Sequence, residues 1–364
     1  ISNVSELQAM EDDLDANYEL VSDIDASQTE QFNNGSGFDP TGSVNPAFSG
    51  SFDGTNNTIT GLTIDRPDES NVGVFGATVG GATLADVTLV NVTVTGDRNV
   101  GGLVGSTGFD DNITDATASG NVTGDRNVGG LVGFNNGGTI QNATASGNVT
   151  GGFEVGGLVG FNVGDNSNIG TTTPATITTA SASGNVTGES DVGGLVGTNN
   201  GNITDAFAVG PVTGDTNVGG LVGSNVAGPD GSGTIQDTFA VGPVSGNTEV
   251  GGLVGQNQSD TTVEQSYFDI QATGQTTSAG NATGLTTAEM QGQAAAENMA
   301  LAFGETWQTV SGDYPELIAL TDPDADSDER SQSNPESAQF EITLTETSEA
   351  EAVPVGEQLR VTTQ

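Results

Sequence analysis

The sequence predicts an all-β protein, a right-handed parallel β-helix of about seven coils, on three observations. The first is recurrence. Val-Gly-Gly-Leu-Val-Gly at residues 100–105 returns at 128–133, 155–160, 192–197, 218–223 and 250–255, and a shortened Val-Gly-Val-Phe-Gly at 72–76 opens the series. Successive starts lie 28, 28, 27, 37, 26 and 32 residues apart, a period at which each repeat must stack on its neighbours to bury its apolar face. The second is that the segments between motifs alternate like strands and carry no helical period. The third is where length varies. Nearly all of it falls after a motif and before the next strand, so the loops at 161–176 and 224–234 emerge along one edge. Parallel coils lie about 4.8 Å apart, so seven turns make a rod of roughly 35 Å.

Residues 1–71 read as an irregular N-terminal cap with the first coils. Ser5 is placed to cap a short helix carrying Leu7, Met10 and Leu14 at helical spacing. Tyr18-Glu-Leu-Val alternates as a strand, a Gly/Asn/Pro-rich loop covers 33–46, and 48–54 with 58–64 read as two strands across a turn at Asp53-Gly54. A cap is expected because an open end exposes unpaired backbone.

Residues 72–270 form the repeat array. Each repeat has an alternating strand such as 113–124, a tight turn such as Asp125-Arg-Asn, the motif strand, and a variable loop. Alternation sets Ala116, Ala118 and Val122 on one face and Thr117, Ser119 and Asn121 on the other. With the Ala/Val face inward, the core is narrow and filled by small residues. Gly101 and Gly102 serve either a sharp corner or a close approach of stacked backbones. Leu103 and Val104 cannot both face inward on a regular strand, so a bend is expected there.

Residues 271–320 read as a helical C-terminal cap. Thr286 or Thr287 starts a helix over 286–303 and Gly304 stops it. Met290, Met299, Leu301 and Phe303, with Trp307, are expected to pack over the last coil. An acidic linker follows at 321–337. Residues 338–364 carry two alternating strands around Pro354, resembling the start of an immunoglobulin-like domain or a donated strand.

Composition narrows the chemistry. Asp plus Glu number 48 against 5 Lys plus Arg, none of them Lys, for a formal charge of −43. That field repels nucleic acid and anionic membranes, and neither is expected as a partner. A carboxylate coat without Lys looks like the surface of proteins from extreme halophiles, where molar salt shortens the Debye length to about 3 Å and screens self-repulsion. With no Cys and no His, disulfides and Ser-His-Asp or Cys-His catalysis are excluded, and a lyase lacks its cationic base. A glycosidase needs two carboxylates about 5–9 Å apart in an aromatic-lined groove. One Trp, Trp307, and three Tyr serve that poorly. No apolar run is long enough to span a membrane. Ile1-Ser-Asn-Val is unlike a signal peptide, so the chain reads as a mature or excised piece.

The Gly-Gly-Leu-Val-Gly repeats resemble the GLUG-motif repeats of bacterial and archaeal surface proteins. Asp23-Ile-Asp25 and Phe48-Ser-Gly-Ser-Phe-Asp-Gly54 resemble that family's lead-in. Leu285-Thr-Thr-Ala-Glu-Met-Gln, Thr306-Trp307 and Tyr314-Pro-Glu-Leu317 resemble its ending, so the likeness spans roughly residues 1–320. The resemblance implies a secreted or surface-anchored β-helix, often part of a large adhesin or the stalk of a surface protease, and it carries over no catalytic residues.

Three sets of residues stand out as candidate sites. Asp322, Asp324, Asp326 and Asp328 alternate and form a weak calcium candidate or a solvated linker, since the central Gly and distal Glu of a calcium loop are missing. Asp110-Asp111, Asp165 and Asp230 sit on edge loops where calcium could also pin a turn. No other cofactor is expected. Sequons at Asn91, Asn112, Asn121, Asn148, Asn185 and Asn202 are glycosylation candidates and fit an exported glycoprotein. Asn121, Asn148 and Asn185 also align in consecutive coils, where their amides can pair along the axis. A second outward ladder, Thr117, Thr144, Ser181, Phe207, Phe239 and Tyr267, turns from polar to aromatic. Monomers seldom leave such a stripe in water. Phe207, Phe239 and Tyr267 are therefore expected to form an interface, covered by the chain's own C-terminal segment or by another copy.

The expected function is an extracellular, non-catalytic structural or adhesive β-helix of a cell-surface protein in a high-salt habitat. Its expected partners are copies of itself, other surface proteins or glycans, with no membrane insertion by this chain. The alternative is a subunit of a self-assembling surface filament using its C-terminal strand. A polysaccharide-acting hydrolase ranks behind both.

Overall fold

A computed structural model describes residues 1–164, 174–228 and 233–321. The chain divides into two compact units, Ile1–Pro323 and Asp324–Gln364. Every described residue belongs to the first, so the strands expected at 338–364 and all but the first residue of the expected linker lie outside the described part.

One coil shows how the array is built. Asn112–Thr123 runs parallel beside Thr139–Ala145 and Asn148–Thr150 of the next coil, with Ile113 opposite Ile140, Ala116 opposite Ala143, Ala118 opposite Ala145 and Val122 opposite Val149. Arg126–Gly129 and Val132–Asn136 complete the coil and pair in the same way with Phe153–Gly156 and Val159–Val163. Stacking these segments gives three sheets of 19, 6 and 7 strands among the described residues. The inward set is the expected one: Ala116, Ala118 and Val122 are at most 2% exposed. In this largest sheet alternation breaks at a left-handed residue, the column Asp86, Asp115, Asn142, Thr179, Asp205, Asp237 and Gln265, with φ from 45 to 53°. Asp and Asn tolerate that conformation best, and the break turns both Ile113 and Ala116 inward.

The motif is a corner rather than a single strand. It is shared between Arg126–Gly129 and Val132–Asn136 and their counterparts in each coil. At the bend, the Leu131 carbonyl accepts the N–H groups of both Leu103 and Val104, at 3.0 and 3.1 Å, and Leu158 does the same for Leu131 and Val132. One acceptor thus serves two residues, and Leu and Val are both fully buried. Both roles open to the glycines are found: a Cβ on Gly129 would collide with the Val132 carbonyl within the same corner, whereas the second glycine of each pair meets the next coil. A Cβ on Gly157 would collide with the Gly194 carbonyl and lie 2.9 Å from the Ala182 Cβ. No motif glycine has a positive φ. The two long insertions leave from equivalent strands, Val159–Val163 and Val222–Asn225, and rejoin at Thr176–Ala182 and Thr234–Ala240.

The N-terminal end differs from expectation in two details. The helix Val4–Gln8 is capped by Asn3, whose extended backbone lets its side chain accept the Glu6 N–H at 3.0 Å; Ser5 lies inside the helix. Ser51–Asp53 and Thr58–Thr60 do not pair with each other. The first lies between Asn17–Glu19 and Thr83–Ala85, the second between Ile24–Asp25 and Thr88–Thr95, all parallel. They are successive sides of one coil, and Val4, Leu7 and Met10 close the core behind them.

The C-terminal segment departs further. The expected helix over 286–303 is two short ones, Thr287–Met290 and Gln293–Asn298, broken at Gly292 with φ 59° and ψ −141°. Thr286 and Glu289 form the capping box at the start, but the helix ends at Asn298, well before Gly304. Nor does this segment cover the last coil. Residues 271–285 do that: Thr283–Leu285 pairs with Tyr267–Asp269, and Gly252 donates to Thr277 while Ala279 donates to Val254.

Candidate functional site

The aromatic ladder accounts for where the C-terminal segment goes. Ser181, Phe207, Phe239 and Tyr267 stand in register on four coils, and the rings of Phe207 and Phe239 stack 5.1 Å apart. Met290, Ala295, Met299, Leu301, Trp307 and Leu317 pack onto this flank as a second core. Trp307, wholly buried, lies 5.4 Å from Phe239, and its Nε1 donates to Asp205 Oδ1 at 2.9 Å. The Ala300 N–H donates to the Tyr267 hydroxyl at 2.7 Å. The Tyr314 hydroxyl donates to Asp269 Oδ2 at 2.7 Å. Burial would raise the Asp269 pKa, but hydrogen bonds from Tyr314 and from the Gln271 and Ala272 N–H groups, among others, hold it low. Burial raises Asp205, with the Trp307 bond opposing. Phe239 and Tyr267 are thus buried and Phe207 half-buried beneath a strap from the same chain, and these positions do not form a face left open for a second copy.

Three amide ladders run along the axis among the described residues, one of them linking Asn127 to Asn99 and Asn99 to Asn71 at 2.6 and 2.8 Å. On the outside, Asn148 Nδ2 donates to Asn121 Oδ1 at 3.1 Å, and the Asn185 N–H donates to Asn148 Oδ1 at 3.3 Å. These three and Asn91 are exposed, while Asn112 and Asn202 are half-buried. A longer ladder lies inside. Thr107 donates to Asn135, and amides link Asn135 to Asn162, Asn199, Asn225 and Asn257 in turn, each contact at 2.7–2.9 Å. The sequence carries its signal, an Asn two places after the last Gly of each motif from 128–133 onward, but the outer Asn column draws the eye first.

Asp111 is 2% exposed, and its carboxylate accepts four protein donors, from Thr78, Gly81, Ala82 and Gly108. Burial pushes its pKa up, with those bonds opposing. It staples a corner with its acceptor sites already used, so the calcium expected at Asp110-Asp111 has no free carboxylate on Asp111. No group of three His, Cys, Asp or Glu side chains placed to hold a metal occurs among the described residues. Asp165, Asp230, Asp322, Asp324, Asp326 and Asp328 lie outside them.

The structure also assembles a groove that the linear order conceals. Arg98, Arg126 and Phe153 stand in register on three coils. The Arg126 guanidinium lies over the Phe153 ring, 5.3 Å from its centroid, and pairs with Glu154 Oε2 at 3.4 Å. On the adjoining sheet Phe134 and Phe161 are in register, edge to face at 5.6 Å. Asn99 and Asn127 complete an open groove of about 300 Å³. The Arg98 carbonyl accepts the Asn71 N–H at 2.8 Å, while its guanidinium makes no hydrogen bond or ion pair among the described residues. Burial raises the Glu154 pKa, with Arg126 lowering it. Two guanidiniums against one carboxylate make the lining net positive on a chain of charge −43.

Known proteins share this build. The GLUG motif matches residues 96–123 and 124–150, two consecutive coils. Part of the chain is 32% identical over 155 residues to Halomucin of Haloquadratum walsbyi, which covers 33% of this chain and 2% of that protein. The crystal structure of a candidate immunoglobulin A1 protease from Bacteroides ovatus superposes with a TM-score of 0.50 at 16% identity, covering 87% of this chain and 91% of that one. At that identity the fold alone is shared. The chain is thus a parallel β-solenoid in which two consecutive coils match the GLUG motif and the same Gly-Gly-Leu-Val corner recurs in the coils that follow.

Proposed function

We propose that this chain is a segment of a cell-surface protein, a non-catalytic structural or adhesive solenoid displayed in a high-salt habitat. The observation that carries the reading is the run of GLUG repeats akin to part of Halomucin, joined to a charge of −43 without Lys. The non-catalytic part is supported by the absence of His, Cys and Lys, which removes the usual nucleophile–base pairs. The protease assignment of the Bacteroides ovatus structure belongs to that protein. Exposed Asn91, Asn121, Asn148 and Asn185 are the acceptors for surface glycans, and neighbouring rungs at about 4.8 Å leave no room for a sugar on each. The filament alternative, with its donated strand, now rests on residues 338–364, since the aromatic stripe is filled from within.

Immunogold labelling of source cells with antibodies to the repeat array tests the placement. Label along the outer surface is the expected result, and label confined to the cell interior overturns it.

A further inference from the structure

We propose that the groove between Arg98, Arg126, Phe134 and Phe161 binds an acidic glycan, its sugar rings lying on the phenylalanines and its carboxylate held by the guanidiniums. The lining supplies both halves of that recognition. Phe134 and Phe161 present half-exposed rings whose faces suit sugar C–H groups. Arg98 keeps its full set of donors, and the Arg126 side chain remains 39% exposed despite its pairing with Glu154. Guanidiniums on successive rungs, about 4.8 Å apart, can each meet a carboxylate through two parallel bonds.

The surroundings favour a sugar acid over other anions. A chain of charge −43 repels densely charged polyanions such as nucleic acid, whereas a uronic sugar brings one charge per ring and an apolar face. Molar salt screens long-range attraction beyond about 3 Å, so only short-range contacts of this kind persist there. The acidic stretch of a second copy, Asp322-Pro-Asp-Ala-Asp-Ser-Asp-Glu, has the charge but almost nothing to lay on two phenylalanines. Residues binding this ligand would give the surface role a target, and the inference rests on that role only for where the glycan comes from.

Calorimetric titration of the whole 364-residue chain in molar KCl, with trigalacturonate and with its methyl ester, tests the groove directly. The acid should bind saturably, and the ester, which keeps the sugar rings but caps each carboxylate with a methyl group and removes its charge, at least about ten-fold more weakly. Arg98→Gln should weaken the acid by about ten-fold with the melting midpoint little changed, because the exposed Arg98 side chain makes no hydrogen bond or ion pair among the described residues and the substitution leaves its backbone pairing in place. Phe161→Ala should weaken acid and ester alike. Equal binding of acid and ester, no heat at millimolar acid, or full affinity in Arg98→Gln each overturns the proposal. Binding of a 322–329 peptide in place of the sugar overturns it in favour of a contact between copies. None of these results bears on the cell-surface placement, which the labelling decides.

Discussion

Asn162 stands in the middle of the buried amide ladder, receiving from Asn135 and giving to Asn199. Asn162→Ala removes one bond from the Asn135 amide, which keeps the Gly138 carbonyl, and one from Asn199 Oδ1, which keeps the Gly201 N–H, and the lost buried bonds together should cost about 1–3 kcal/mol. Thermal melts should show a large drop for Asn162→Ala and a smaller one for Asn257→Ala at the half-exposed end of the ladder. Ala118 and Thr117 test the register one residue apart. Ala118→Phe overpacks a site 2% exposed and should cost about 1–3 kcal/mol or more, while Thr117 is exposed on the rim of a shallow pocket it shares with Ala319 and Leu320, so Thr117→Phe has room to turn outward and should cost far less. The reverse order would place the strand out by one. Asp269 gives a pH test. Its pKa lies below the ordinary 3.8 because hydrogen bonds from the strap and nearby backbone outweigh burial. The stabilisation is therefore complete above 3.8 and is lost as pH falls through the lower folded value. Burial raises Asp111, Asp205 and Glu154, which favour acid, so the effect is read as a difference. The stability gap between wild type and Asp269→Asn should narrow from about pH 5 toward pH 2; a constant gap would mean the charge on Asp269 is not what holds the strap.

The strap is the element whose removal says most. Trp307 fills the space against Phe207 and Phe239, and Trp307→Ala should cost about 3–5 kcal/mol. Deleting residues 286–321 bares Phe207, Phe239 and Tyr267 together. That variant should bind a hydrophobic dye and associate with rising concentration, and a dye-silent monomer would show that the stripe is hidden some other way. The strap is also where reading the sequence went furthest astray. Leu, Met and Ala at helical spacing over 286–303 describe two short helices as well as one long one, and only the left-handed Gly292 separates them. The ladder of Phe207, Phe239 and Tyr267 was legible because motif spacing alone aligns the coils. Its cover was not, because the need to bury it lies in a different part of the chain. The role of each motif's second glycine and the inner Asn column share that limit: a close approach, or an amide bond between rungs, is a property of two coils and of neither alone. The Arg98–Phe161 groove needs a further step, knowing which two sheets meet at a corner.

At the scale of the molecule the governing quantity is charge. With −43 on the chain and no Lys, compaction presses like charges together and counterions relieve the repulsion. Melting midpoints should fall steeply as salt drops from about 3 M to about 0.1 M, and a flat profile would detach the acidic coat from any adaptation to salt. The fold class follows from period and alternation because a one-dimensional stack repeats one local solution. Its two ends do not follow in the same way, since each is solved once.

The path of the strap has a mechanical consequence. From Tyr267 the chain doubles back along the flank past Phe239 and Phe207, and Ala319 and Leu320 come to rest beside Thr144 and Thr117. A pull on Thr321 therefore enters the rod partway along its length rather than at its last coil. To give way, Trp307, Tyr314 and Leu317 must slide across the coils together, in shear. A tail leaving from the final coil would instead be peeled, one ladder of backbone bonds at a time, at far lower force.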